Sequence, residues 1–165
     1  MKPIFQSIVE KGKGDCQRAC IASLFDLQLE QVPHFKLFGS EGKWFKPYRH
    51  FLLGIGYDFY GTSMGPRHSK KEDRNYKSIN GFFLASVPSR TFEESGHSVI
   101  IDEEGFVVHD PNPNKRWLGV NVIETGELQH VDIIEQEREP QSCEEDPDKP
   151  TCHINEVCQI CLRGK

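Results

Sequence analysis

Gly96-His97-Ser98-Val99-Ile100-Ile101-Asp102-Glu103-Glu104-Gly105-Phe106-Val107-Val108-His109-Asp110 is the stretch whose reading decides the fold. Two apolar, β-branched runs flank a polar segment, and Gly105 can take the left-handed corner of a short loop, so the pattern predicts a β-hairpin. Pairing Ile101 with Phe106 sets the register: Val99 then faces Val108, and His97 faces Asp110. Opposed residues of an antiparallel pair share a face, with Cβ atoms roughly 5 Å apart. The hairpin thus sets an imidazole beside a carboxylate. Such a carboxylate fixes the imidazole's tautomer and stabilises its charged form, as a general base requires.

Residues 82–87, apolar throughout and bounded by Gly81 and Pro88, read as a central strand. Ile100 and Val107 on one hairpin face, with Val99, Ile101, Phe106 and Val108 on the other, predict a sheet covered on both sides. Pro111 and Pro113 end the ladder, because proline has no N–H to donate. Residues 120–123 and 131–134 are two further candidate strands. Upstream, Asp15 is placed to cap a helix that begins at Cys16, and Ala19, Cys20, Ser23, Leu24 and Leu27 share a face with Cys16. Residues 29–32 read as a short turn stopped by Pro33, and 42–54 as a second helix with Pro47 in its first turn. Residues 57–60 read as a short strand and 61–80 as a loop. The class is α+β: an N-terminal helix carrying Cys16 packs on an antiparallel sheet carrying His97 and Asp110. His34 and His109 read as structural, since His109 alternates to the opposite face from Asp110.

The chain has 165 residues, enough for one domain with a core, and eleven Phe and two Trp supply bulky material for it. Formal net charge is −5, and residues 135–150, with seven acidic side chains against two basic, carry all of it. The domain reading is therefore a folded part over 1–134 and an acidic linker with a cysteine-rich tail over 135–165. The charge balance lacks the basic face of a nucleic-acid binder. No apolar run approaches the roughly 18 residues that span a bilayer, and none opens the chain as a signal peptide, so a cytoplasmic location is expected. In a reducing compartment the six cysteines read first as thiols or metal ligands. Cys143, Cys152 or His153, Cys158 and Cys161 offer a tetrahedral structural zinc site in the tail, with Cys158 and Cys161 in a CxxC. A disulfide pair and free thiols fit the same spacing.

In chain order the candidate catalytic residues are Gln6, Cys16, His97 and Asp110. Free N–H groups and the positive dipole end of a helix favour a thiolate at Cys16. A thiolate, an imidazole and an orienting carboxylate are the parts of nucleophilic acyl transfer. Cys16 attacks a carbonyl, His97 holds the ion pair and protonates the leaving group, and Asp110 orients His97. The oxyanion needs donors; the Cys16 N–H and the Gln6 amide can supply them. That chemistry calls for no cofactor, and the expected partner is a peptide or protein substrate.

Gln6, the run Gly14-Asp15-Cys16-Gln17-Arg18-Ala19-Cys20-Ile21-Ala22-Ser23, then Gly96-His97-Ser98-Val99-Ile100 and Val108-His109-Asp110-Pro111, in this order, resemble the papain-like cysteine peptidase superfamily. More closely, they resemble C39-like peptidases and small bacterial and phage proteins of that type. The resemblance implies a papain-like fold and hydrolysis of a peptide or isopeptide bond through a thioester. It implies Gln6 as oxyanion donor, Cys16 as nucleophile, and His97 and Asp110 as the rest of the triad. Two positions depart from the pattern: Gln6 lies farther from Cys16 than in papain, and Gln17 replaces the aromatic residue that often follows the nucleophile. Asn112 is an alternative orienter, though only Asp110 satisfies the hairpin register. The same triad also serves amidases, deamidases and transglutaminase-type acyl transfer, and a catalytically inactive relative would use the groove for binding.

Overall fold

The computed structural model describes residues 1–39, 42–64 and 78–136. The strands β1 (Tyr57–Met64), β2 (Phe82–Pro88), β3 (Gly96–Asp102), β4 (Val107–His109) and β5 (His130–Gln136) form one antiparallel sheet in the spatial order β1-β5-β2-β3-β4. Helix α1 (Cys16–Leu24) packs against β3, and helix α2 (Phe45–Gly54) against β1. The fold is α+β, and residues 82–87 lie in its middle strand as expected.

The β3–β4 hairpin forms with a register different from the expected one. Asp102 N–H donates to Phe106 O at 3.0 Å, and Ile101 pairs with Val107 rather than Phe106. The cause is local: Asp102 Oδ1 accepts the N–H groups of Glu104 and Phe106 at 3.0 and 2.9 Å, which draws the turn in around Gly105 at φ 93°. A slip of one residue exchanges the faces of a strand, so Val107 packs on the same side of the sheet as Val99 and Ile101 rather than on the side of Ile100. A β-bulge follows, and Ile100 pairs with His109. This second shift restores the faces. Counting one step further puts Asp110 level with Val99, on the side of His97 and diagonal to it, still within reach of a long side chain. The two departures cancel in face, so the expected His97–Asp110 contact survives.

Both sides of the sheet are covered. On one side Leu84, Ile100 and Ile134 pack with Cys20, Ile21, Leu24, Tyr48 and Leu52. On the other, Val99, Ile101, Val107 and Val131 pack with Trp117 and Val122. Each such fully buried aliphatic side chain contributes about 1.5–3 kcal/mol. Ile21 and Ala22 also join Val32 and Phe35 in the first cluster, so α1 is buried beyond the single face its spacing predicts.

Other expectations are corrected. Residues 120–123 do not form a strand. They make a single bridge, Phe106 to Asn121, because Asn121 Oδ1 accepts the N–H groups of Ile123 and Glu124 at 3.1 Å each and turns the chain away. Residues 61–64 belong to β1 rather than to a loop, since a bulge at Gly61 (φ 130°) steps past Tyr60 and lets the pairing with β5 continue. Strand β5 runs through Gln136, so Glu135, where the acidic composition begins, is paired with Asp58. Residues 65–77 and 137–165 lie outside the described residues, and with them Cys143, Cys152, His153, Cys158, Cys161 and the zinc reading. Among the described residues no group of three or more His, Cys, Asp or Glu side chains could hold a metal ion. No helix among them is long and apolar enough to cross a membrane.

The chain before α1 has neither helix nor strand, yet it is fastened by alternate amides. Ile4 N–H donates to Ser23 Oγ at 2.8 Å, Gln6 N–H to Pro111 O at 3.0 Å, and Ile8 N–H to Asp15 Oδ1 at 2.9 Å. His109 closes the same seam, with Nε2 2.9 Å from Ile4 O and 3.2 Å from Ser23 Oγ. His109 is thus structural, and the arm it secures carries Gln6 to the open end of the hairpin.

Candidate active site

Cys16, the first residue of α1, lines a cleft of about 140 Å³ together with Gln6, Lys36, Phe92, His97 and Asn112. Cys16 and His97 are 7% and 8% exposed. Their side chains lie close enough to perturb each other's charge, and Ser98 N–H points at Cys16 Sγ from 3.5 Å. His97 Nε2 lies 2.8 Å from Asp110 Oδ1. An ionised carboxylate only accepts, so Nε2 carries the hydrogen and Nδ1 is left for the thiol. Asp110 is 1% exposed and well supplied with donors: Oδ1 also accepts Asn112 N–H at 2.9 Å, and Oδ2 accepts Trp117 N–H at 3.0 Å.

The charges follow from these contacts. Burial pushes the Cys16 thiol up, but the neighbouring His97, the Ser98 N–H and the Lys36 ammonium together bring it down to about 7. Burial works against a charged His97, yet Asp110 and Cys16 raise it to about 9. Burial also opposes ionisation of Asp110, while His97 and the two N–H donors hold its carboxyl below the usual range. Between these two values the group exists as thiolate, imidazolium and carboxylate. One helical turn on, Cys20 has no such partners, and burial pushes its thiol well above the usual value.

No family model, curated protein or solved structure matches this chain.

Gln6 is buried in the cleft wall, donating from Nε2 to Ile8 O at 3.2 Å, with Oε1 unpartnered. Its amide keeps a second N–H for another acceptor. Gln6, Cys16 and His97 thus meet at one cleft, with Asp110 behind His97. Asp15 holds the cap position of α1 but makes no side-chain cap bond; its carboxylate is engaged with Ser7 and Ile8. Asn112 is not the orienter. Its N–H supports Asp110, and its side-chain amide donates to Thr91 Oγ1 at 3.4 Å.

The Asn112 contact was legible, because an Asp that accepts the N–H two residues on is an Asx turn and Asp110-Pro111-Asn112 suits one. Trp117 left no signal, since it acts through a main-chain N–H that almost any residue could offer. Lys36, in the 3₁₀ turn Phe35–Phe38, left none either, because its approach to Cys16 depends on how that turn folds back.

Proposed function

We propose that this chain is a cysteine-dependent hydrolase of papain-like arrangement that cleaves a peptide or isopeptide bond in a protein substrate. The reading is carried by one observation: His97, held by Asp110 at 2.8 Å through one ring nitrogen, lines the same cleft as Cys16 and leaves its other nitrogen for the thiol. The Cys16 thiolate attacks the carbonyl carbon, and the π pair moves onto oxygen, facing the Cys16 N–H and the Gln6 amide. Collapse breaks the C–N bond, and the amine leaves with the proton of His97. Water, deprotonated by His97, then cleaves the thioester, releases the acid and restores the sulfur. A single side-chain donor to such an oxyanion contributes about 10²–10³ in kcat.

Thiol labelling tests the reading. Iodoacetamide should alkylate Cys16 with a midpoint near pH 7, while Cys20 stays unlabelled there. His97→Ala should move the Cys16 midpoint upward, because burial then acts without the opposing imidazolium. Peptide mapping after p-nitrophenyl acetate should find a Cys16 thioester that Cys16→Ala lacks. Turnover should rise through pH 7 as the thiolate forms and fall above about 9 as His97 loses its proton. Equal, slow labelling of both thiols sinks the hydrolase and leaves a groove that only binds.

A further inference from the structure

Asp15 directly precedes the nucleophile assigned above and is 1% exposed. It gives up the cap bond of the helix it begins and turns its carboxylate on the arm instead. Oδ2 accepts the Ser7 hydroxyl at 2.8 Å, and Oδ1 accepts Ile8 N–H at 2.9 Å. Arg18, from the same helix, is fixed by Val32 O at 2.6 Å through Nε and sets Nη1 3.8 Å from Asp15 Oδ2. Ile8 is also the residue whose carbonyl accepts from Gln6 Nε2 at 3.2 Å. Asp15 and the Gln6 amide therefore grip the two sides of one residue.

We propose that Asp15 is a positioning residue that aims the Gln6 amide at the oxyanion formed during attack by Cys16, an inference that rests on the acyl-transfer reading. The arm has no helix or strand of its own to place Gln6. A charged acceptor makes a stronger bond to an N–H than a neutral one, and Asp15 is joined by one peptide bond to Cys16. Donor and nucleophile thus share an anchor, and a small displacement at such a site is costly to the rate.

Two reactions of the same sulfur separate this role from support of the fold. Iodoacetamide alkylation forms a sulfur–carbon bond and expels iodide without building an oxyanion. Acylation by p-nitrophenyl acetate joins sulfur to the carbonyl carbon, passes through an oxyanion, and breaks the C–O bond to release p-nitrophenolate. Both rates are measured on the full chain, with the Cys16→Ala rate subtracted.

Gln6→Ala should slow acylation about 100-fold and leave alkylation within about twofold. Asp15→Asn should slow acylation about tenfold and leave alkylation unchanged. In the Gln6→Ala background Asp15→Asn should cost nothing more, since an effect transmitted through Gln6 disappears with it. Ser7→Ala, at an exposed position, should reproduce the pattern at about threefold, and it answers the question if Asp15→Asn fails to fold. Equal losses in both backgrounds, or parallel losses in alkylation, overturn the proposal and make Asp15 a support of the helix. Brisk acylation indifferent to Asp15 and Ser7 ends this proposal alone. Acylation of the parent chain no faster than Cys16→Ala ends the acyl-transfer reading and takes this one with it.

Discussion

Asp110, where the chain leaves β4, and Asp132, on β5, are 1% and 6% exposed. Asp110 accepts from His97 and from the N–H groups of Asn112 and Trp117, and these hold its carboxyl below the usual range against the pull of burial. Asp132 accepts the Tyr48 hydroxyl at 2.9 Å, with His130 Nε2 at 3.9 Å, and burial pushes it up to about 7 despite the Tyr48 bond. Two solvent-shielded aspartates thus become different groups, one ionised and one poised near neutrality. Asp132 meets the heavier burial with one hydroxyl donor, whereas Asp110 has an imidazole and two N–H groups, and both differences push the same way. The thiols of Cys16 and Cys20 repeat the contrast one helical turn apart, with His97 as the difference.

The contrast between the two aspartates depends most on Asp110. Asp110→Ala would leave three donors facing an empty space, and chemical denaturation should register a loss on the order of 3–5 kcal/mol. Asp110→Asn keeps the shape and is the sharper probe. His97 loses its carboxylate, so the upper limb of the acylation profile should move down from about 9.

A smaller effect of opposite sign is expected at the other aspartate. The folded-state value of Asp132 lies above the unfolded one, so the folded chain prefers it protonated. The resulting cost is absent below the unfolded value near 3.8, grows as pH rises, and is full above about 7. Asp132→Asn retains an acceptor for Tyr48 and should raise stability by on the order of 1–3 kcal/mol near pH 8, with no gain near pH 4. Thermal melts at the two pH values decide it, and an equal gain at both would mean that Asp132 is not held neutral. Lys36→Ala should have the smallest effect. Its exposed ammonium is the weakest influence on Cys16, so the alkylation midpoint should rise only slightly.

Local pattern carried much of this. The α1 start at Cys16 and the middle strand follow from residue spacing, because helix periodicity and strand composition are short-range signals. The meeting of His97 with Asp110 is predicted from a register the chain does not adopt, and it survives because the slip and the bulge cancel. The hairpin register did not follow. It depends on Asp102 bonding within the turn and on a bulge that an unbroken run of valines and isoleucines conceals. The residues at 120–123 look like a strand by composition, and one Asn side chain turns them aside. The role of Asp15 was hidden because its expected cap bond is local, whereas the bonds it makes reach back to Ser7 and Ile8. Lys36 and Trp117 come to the site only through tertiary folding.

The alternate amides of the arm have an observable consequence. Ile4, Gln6 and Ile8 donate to Ser23, Pro111 and Asp15, none of them in a strand. These three N–H groups should exchange with deuterium slowly, while the intervening amides exchange freely. Such a rhythm without a ladder partner identifies a docked arm in solution. Its loss ahead of global melting would mark a protein still folded in which Gln6 has come away from the cleft.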